Sequence, residues 1–61
     1  MKKLPSNPYI LLSVINTKLR DSYDSLASLC DDLEESQEEI ENILRDIGYE
    51  YDAKNNKFIL I

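Results

Sequence analysis

Apolar residues recur along this chain in three helical stripes and then change period. Leu26, Leu29, Cys30 and Leu33 fall at i, i+3, i+4 and i+7, and Ile40, Ile43, Leu44 and Ile47 repeat that spacing. Positions so spaced share one face of an α-helix. The spacing predicts helices over 26–34 and 37–47. Upstream, Leu11, Leu12, Ile15 and Leu19 span one side of a helix predicted over 8–21, with Ile10 and Val14 on its flank. Its apolar arc is about 200°, wider than the ~100° a surface helix needs. So wide an arc is either wrapped by the rest of the chain or shared with another molecule. After Gly48 the period becomes two. Tyr49-Glu50-Tyr51-Asp52 alternates, and Phe58-Ile59-Leu60-Ile61 is rich in β-formers. The intervening Ala53-Lys54-Asn55-Asn56-Lys57 has turn chemistry, because Asn tolerates the left-handed region. A β-hairpin over 49–61 follows.

Punctuation agrees with periodicity. Asn7-Pro8 is a helix start, since Asn caps and Pro at the first helical position loses no needed hydrogen bond. Ser25 is a candidate N-cap. Ser36-Gln37-Glu38-Glu39 has the spacing of a capping box, in which Ser36 serves the Glu39 amide and Glu39 reaches back. Glu38, Glu39 and Glu41 suit the positive end of that helix dipole, and Arg45 suits the negative end. Gly48 fits the left-handed position that closes a helix. Met1–Ser6 reads as a flexible arm, and Tyr23 as an apolar lid in the polar connection Asp21–Asp24.

These elements predict a mainly α (α+β) domain of three helices with a C-terminal β-hairpin, winged helix-like. Leu11, Ile15, Leu19, Leu26, Leu29, Cys30, Leu33, Ile40, Ile43, Leu44 and Ile47 are its expected core. The central pair of helices resembles a helix-turn-helix: Leu29, Cys30 and Leu33 stand where that family's first helix keeps Leu, a small residue and Leu. The resemblance implies nucleic-acid binding. Two departures accompany it. Glu34 occupies the turn position usually held by Gly, and Gln37, Glu38, Glu39, Glu41 and Asn42 replace basic and small polar residues. A reader of nucleic acid neutralises phosphates with Lys and Arg, and this helix repels them.

Charge sharpens the picture. The chain of 61 residues carries a net charge of −5. Residues 1–20 hold Lys2, Lys3, Lys18 and Arg20 and no acid, whereas residues 31–46 hold eight acids against Arg45 alone. An acidic face keeps a small protein soluble or meets a basic partner. No apolar run approaches the ~18 residues that cross a membrane. Met1-Lys2-Lys3 resembles the start of a signal peptide, but Pro5, Asn7 and Pro8 interrupt it. The expected compartment is the cytoplasm.

Candidate chemistry is sparse. One cysteine and no histidine leave neither an internal disulfide nor an ordinary zinc set. Cys30 sits in an apolar stripe, where a thiol acts as a small hydrophobe. Asp31, Asp32, Glu34 and Glu35 lack the alternation of a calcium loop. No cofactor, metal or catalytic residue is expected, and the chain reads as no enzyme.

Leu4-Pro5-Ser6-Asn7-Pro8-Tyr9-Ile10-Leu11-Leu12, running on to Asn16-Thr17-Lys18-Leu19-Arg20-Asp21, resembles the opening of a family of short uncharacterised bacterial proteins, family 4250 of the domains of unknown function. Ile47-Gly48-Tyr49-Glu50-Tyr51-Asp52 fits the same family. The resemblance implies a free-standing bacterial cytoplasmic protein and no particular activity. From the residues themselves, the expected function is a non-catalytic protein-interaction module forming a homodimer through the first helix or the hairpin edge. Asn16, Lys18, Arg20, Phe58 and Leu60 are its candidate contacts. The alternative is a winged-helix-like regulator that touches nucleic acid with Lys2, Lys3, Lys18, Arg20, Lys54 and Lys57, Asn55 and Asn56 reaching a groove.

Overall fold

The computed structural model describes residues 4–61. Three helices are followed by one antiparallel hairpin: α1 (Pro8–Asp21), α2 (Leu26–Leu33), α3 (Gln37–Arg45), β1 (Tyr49–Asp52) and β2 (Lys57–Leu60). Each helix start is made by the residue its sequence nominates. The Asn7 side chain accepts from the Tyr9 and Ile10 amides at 2.9 and 3.2 Å. Ser25 Oγ accepts from the Ser28 amide at 3.1 Å, and Ser36 Oγ from the Glu39 amide at 3.2 Å. Each such cap is worth about 1 kcal/mol. The return bond from Glu39 to Ser36 is not formed, so half of the capping box is used.

The helix ends are earlier than the stripes predict. α2 stops at Leu33 because Glu34 turns left-handed, with φ of 58°. Glu35 N–H then donates to Cys30 C=O at 2.9 Å, closing the helix with a residue other than glycine. α3 stops at Arg45, two residues short. Ile47 and Gly48 amides donate to Leu44 and Arg45 carbonyls at 3.2 and 2.9 Å, the tighter i to i−3 pattern. Gly48, at φ of 90°, then turns the chain into β1.

The core is Leu11, Ile15 and Leu19 of α1, Leu26, Leu29, Cys30 and Leu33 of α2, Ile40 and Leu44 of α3, and Phe58 of β2. This corrects the expected core at three positions. Ile43 is 39% exposed, because the inward direction of α3 lies on the Leu44 side, about 100° round the helix. Ile47 is only half-buried, since it falls outside the helix and leaves its phase. Phe58 enters the core and packs against Tyr51 with ring centroids 5.5 Å apart. Leu4 also packs against the core, so the expected arm is anchored there; Met1, Lys2 and Lys3 lie outside the described residues. Among the described residues no helix is long and apolar enough to cross a membrane.

The hairpin pairs Tyr49 with Leu60, Glu50 with Ile59, Tyr51 with Phe58 and Asp52 with Lys57. Tyr49, Tyr51, Phe58 and Leu60 therefore share the helix-facing side, while Glu50 and Ile59 share the other. A two-stranded hairpin is marginal alone. Here it is fastened to the helices by two asparagines.

Candidate functional site

Asn16, a candidate contact residue, is spent on the fold. Its Oδ1 accepts from the Phe58 amide at 2.8 Å and its Nδ2 donates to the Phe58 carbonyl at 3.2 Å. A side-chain amide thus occupies the place of a neighbouring strand. Phe58, the other half of this contact, is 3% exposed and unavailable to a partner. Its candidacy as a surface contact is corrected: alternation in β2 turns it inward beneath Tyr51.

Asn56 does the same for the turn. It takes the left-handed conformation, φ 55°. Its Nδ2 donates to the carbonyls of Leu19 and Tyr23 at 3.0 and 2.9 Å, and its Oδ1 accepts from Tyr51 Oη at 2.7 Å. Tyr51 Oη in turn accepts from the Leu26 amide at 3.1 Å. One chain of hydrogen bonds therefore joins the end of α1, the hairpin and the start of α2. Asn56 therefore has no amide hydrogen left to reach a nucleic-acid groove. Asn55 is also engaged, donating to Asp52 at 2.7 Å.

These fastenings leave a cleft of about 540 Å³ between the second half of α1 and the hairpin turn. Thr17, Arg20, Asn55 and Lys57 line it, over a floor that includes Asn16, Leu19 and Asn56. No acidic residue lines it. Arg20 is paired with neighbouring Asp21 through Nε and Nη2, at 2.9 and 3.0 Å. That pairing raises the Arg20 pKa and lowers that of Asp21.

At the opposite end of β2 the surface is apolar. Asn56 meets Leu19 and Tyr23 while Phe58 meets Asn16, so β2 runs back along α1 towards its start. Two strand residues advance roughly 6.6 Å, equal to about four residues of helix. Leu60 is thereby level with Leu12. Tyr9 leaves α1 within about 20° of Asn16, on the same stripe. Tyr9 is 63% exposed, Leu60 67% and Ile61 71%. Ile61 N–H donates to Gly48 C=O at 2.8 Å, so pairing continues past the strand and Ile59 and Ile61 flank the outer side. Leu60 was nominated by sequence. Ile59 and Ile61 belong to the hairpin edge that the sequence also nominates, whereas Tyr9 was not singled out, although it precedes the half-buried Leu12 by one helical turn.

The basic candidates do not converge. Lys18 is half-buried and leaves α1 about 160° from Arg20. Lys54 and Lys57 are exposed at the hairpin turn; Lys2 and Lys3 lie outside the described residues. Between α1 and α2, Tyr23 Oη donates to Asp32 of α2, a bond that raises the tyrosine pKa, with burial adding to it. Tyr23 also packs on the core, as an apolar lid would. Cys30 is buried, and desolvation, then Glu35 and Glu41, push its thiol up. A thiol so placed is a poor nucleophile. Among the described residues no three Cys, Asp or Glu side chains gather as a metal set.

No curated protein and no solved structure matches the chain. A family model does, across residues 5–58, and this span takes in all three helices, β1 and the Asn16–Phe58 fastening. The chain therefore belongs to the family described as a domain of unknown function, DUF4250.

Proposed function

We propose that this chain is a non-catalytic protein-interaction module that pairs with a second copy of itself through the Tyr9–Leu60 face. The observation that carries the reading is the cluster of exposed apolar side chains where the start of α1 meets the open end of the hairpin. Contiguous exposed apolar surface on a small domain marks an interaction site. A second copy suits it because Tyr9 and Leu60, which define the face, carry no charge. An isologous contact sets a surface against itself, which apolar groups tolerate and like charges do not. The absence of histidine and the buried, raised Cys30 thiol support a non-catalytic role.

A nucleic-acid role has less support. Lys18 and Arg20 diverge, Arg20 is held by Asp21, and α3 carries Glu38, Glu39 and Glu41.

Light scattering at low and high salt tests the reading. A dimer at both, made monomeric by Leu60→Lys or Tyr9→Glu with helicity unchanged, is the expected result. Both side chains are exposed, so neither change disturbs the core. A wild-type monomer overturns self-association, and a dimer that survives both substitutions overturns the assigned face. Association that weakens steeply with salt points to charge instead.

A further inference from the structure

We propose that the cleft between α1 and the hairpin turn binds the phosphoryl group of a small phosphate monoester. Three features of the cleft support this. Its lining carries two cations, Arg20 and Lys57, and no acid, in a chain whose net charge is −5. Its floor is already satisfied. The Asn56 amide hydrogens cover the Leu19 and Tyr23 carbonyls, and Ser22 and Tyr23 amides cover Lys18 C=O at 2.8 and 3.0 Å. Two of the last carbonyls of α1, those of Lys18 and Leu19, thereby have partners of their own. The donors around the rim are partly spent: Asn55 donates to Asp52, and Asp21, outside the lining, pairs with Arg20. Arg20 has five N–H groups, and Asp21 takes those of Nε and one of Nη2, leaving three. Thr17 adds a hydroxyl and Lys57 an ammonium. Arg, Lys and hydroxyl donors around one volume suit phosphoryl oxygens.

The volume, about 540 Å³, exceeds a bare phosphate and falls in the range of small-molecule sites. Asn16 and Asn56 tie the two walls of the cleft together across 42 and 37 residues of chain. It lies at the other end of β2 from the Tyr9–Leu60 face, so it stands or falls independently of self-association.

The test is a titration of the ¹⁵N-labelled protein with phenyl phosphate, with phenol as the neutral control, at constant ionic strength. Saturable shifts confined to the amides of Thr17, Arg20 and Asn55–Lys57 are expected. Arg20→Ala and Lys57→Ala should each weaken binding about tenfold, as losing a charge-assisted contact does. Lys54→Ala, on the same turn but outside the lining, should leave it unchanged. Binding should tighten between pH 5 and 7.5, as the monoester takes its second charge near pH ~6. Shifts that never saturate, an equal loss in Lys54→Ala, or the same response to phenol would each overturn the proposal.

Discussion

The side chain of Asn16 and the backbone of Phe58 are joined at both ends of one amide, N–H to Oδ1 at 2.8 Å and Nδ2–H to C=O at 3.2 Å. The pair spans 42 residues and seals the outer edge of β2 against α1. Removing the side chain leaves an N–H and a C=O without partners beside the core. Asn16→Ala should therefore cost about 2 kcal/mol, at one to three for each stranded group with some relief by water. In a domain this small that lowers Tm by roughly 10 °C. Asn16→Asp keeps the acceptor but sets an ionised oxygen against the Phe58 carbonyl, so at neutral pH its loss should match or exceed that of Ala. Thermal unfolding followed by circular dichroism measures all three. Equal stability of Asn16→Ala and wild type would mean the seal contributes nothing.

Asn56 combines a left-handed backbone with three side-chain hydrogen bonds. Two substitutions separate these contributions. Asn56→Gly keeps the backbone geometry and loses the bonds; Asn56→Ala loses both. Each should be destabilised, with Ala worse by about 1 kcal/mol, the usual penalty of a Cβ in that region. Tyr51→Phe removes the central hydroxyl of the network and leaves the Leu26 amide and Asn56 Oδ1 unpaired. A loss of about 2 kcal/mol is expected in urea unfolding. If Asn56→Gly matched wild type, the hairpin would be held by Phe58 packing alone.

Glu34 ends α2 at φ of 58°, a conformation glycine adopts without strain. Its side chain is exposed and makes no hydrogen bond among the described residues. Glu34→Gly should stabilise the protein by about 1 kcal/mol, the left-handed penalty less the added freedom of the unfolded chain. It also removes one of the acids crowded at Asp31, Asp32 and Glu35. Glu34→Ala, which keeps the Cβ, should show none of the backbone gain. Chemical denaturation of the two variants side by side distinguishes strain from charge.

What the chain discloses about itself follows from which forces are local. Asn7, Ser25 and Ser36 cap the helices they precede because capping spans three residues. The stripes Leu11–Leu19 and Leu26–Leu33 face inward because periodicity alone fixes a face. The end of α3 was less legible: the i to i−3 turn at Ile47 and Gly48 answers to the hairpin that follows, and it takes Ile47 out of phase. Asn16 and Phe58 were both singled out, as surface contacts, and the fold uses them on each other. A polar residue on the flank of an apolar stripe signals a buried partner, but only the tertiary fold names it. Tyr9 was not singled out for the same reason, since its nearness to Leu60 depends on β2 running back along α1.

Stability should fall at both ends of the pH scale through different groups. Asp52 has its pKa lowered, chiefly because Asn55 Nδ2 donates to its carboxylate, with further help from the Asn55 and Lys54 amides. Asp21 is lowered by Arg20. A carboxylate lowered in the folded state binds its proton more readily when unfolded. Its contribution is therefore complete above the unfolded pKa, near 4, and is lost as pH falls through the folded value. Tyr23 runs the other way. Its hydroxyl donates to Asp32, which raises its pKa, so its contribution is complete below about pH 10 and is lost as pH rises through the folded value. Asp21 is exposed, and Tyr23 and Asp52 are half-buried at the surface, so each effect is small and screened. Tm measured from pH 2 to 11 should show a plateau with two shallow shoulders. Asp52→Asn should flatten the acid shoulder, because an amide oxygen still accepts in the turn without titrating. Tyr23→Phe should flatten the alkaline one. An alkaline shoulder unchanged in Tyr23→Phe would assign it to other groups and leave the Tyr23–Asp32 bond without a role in stability.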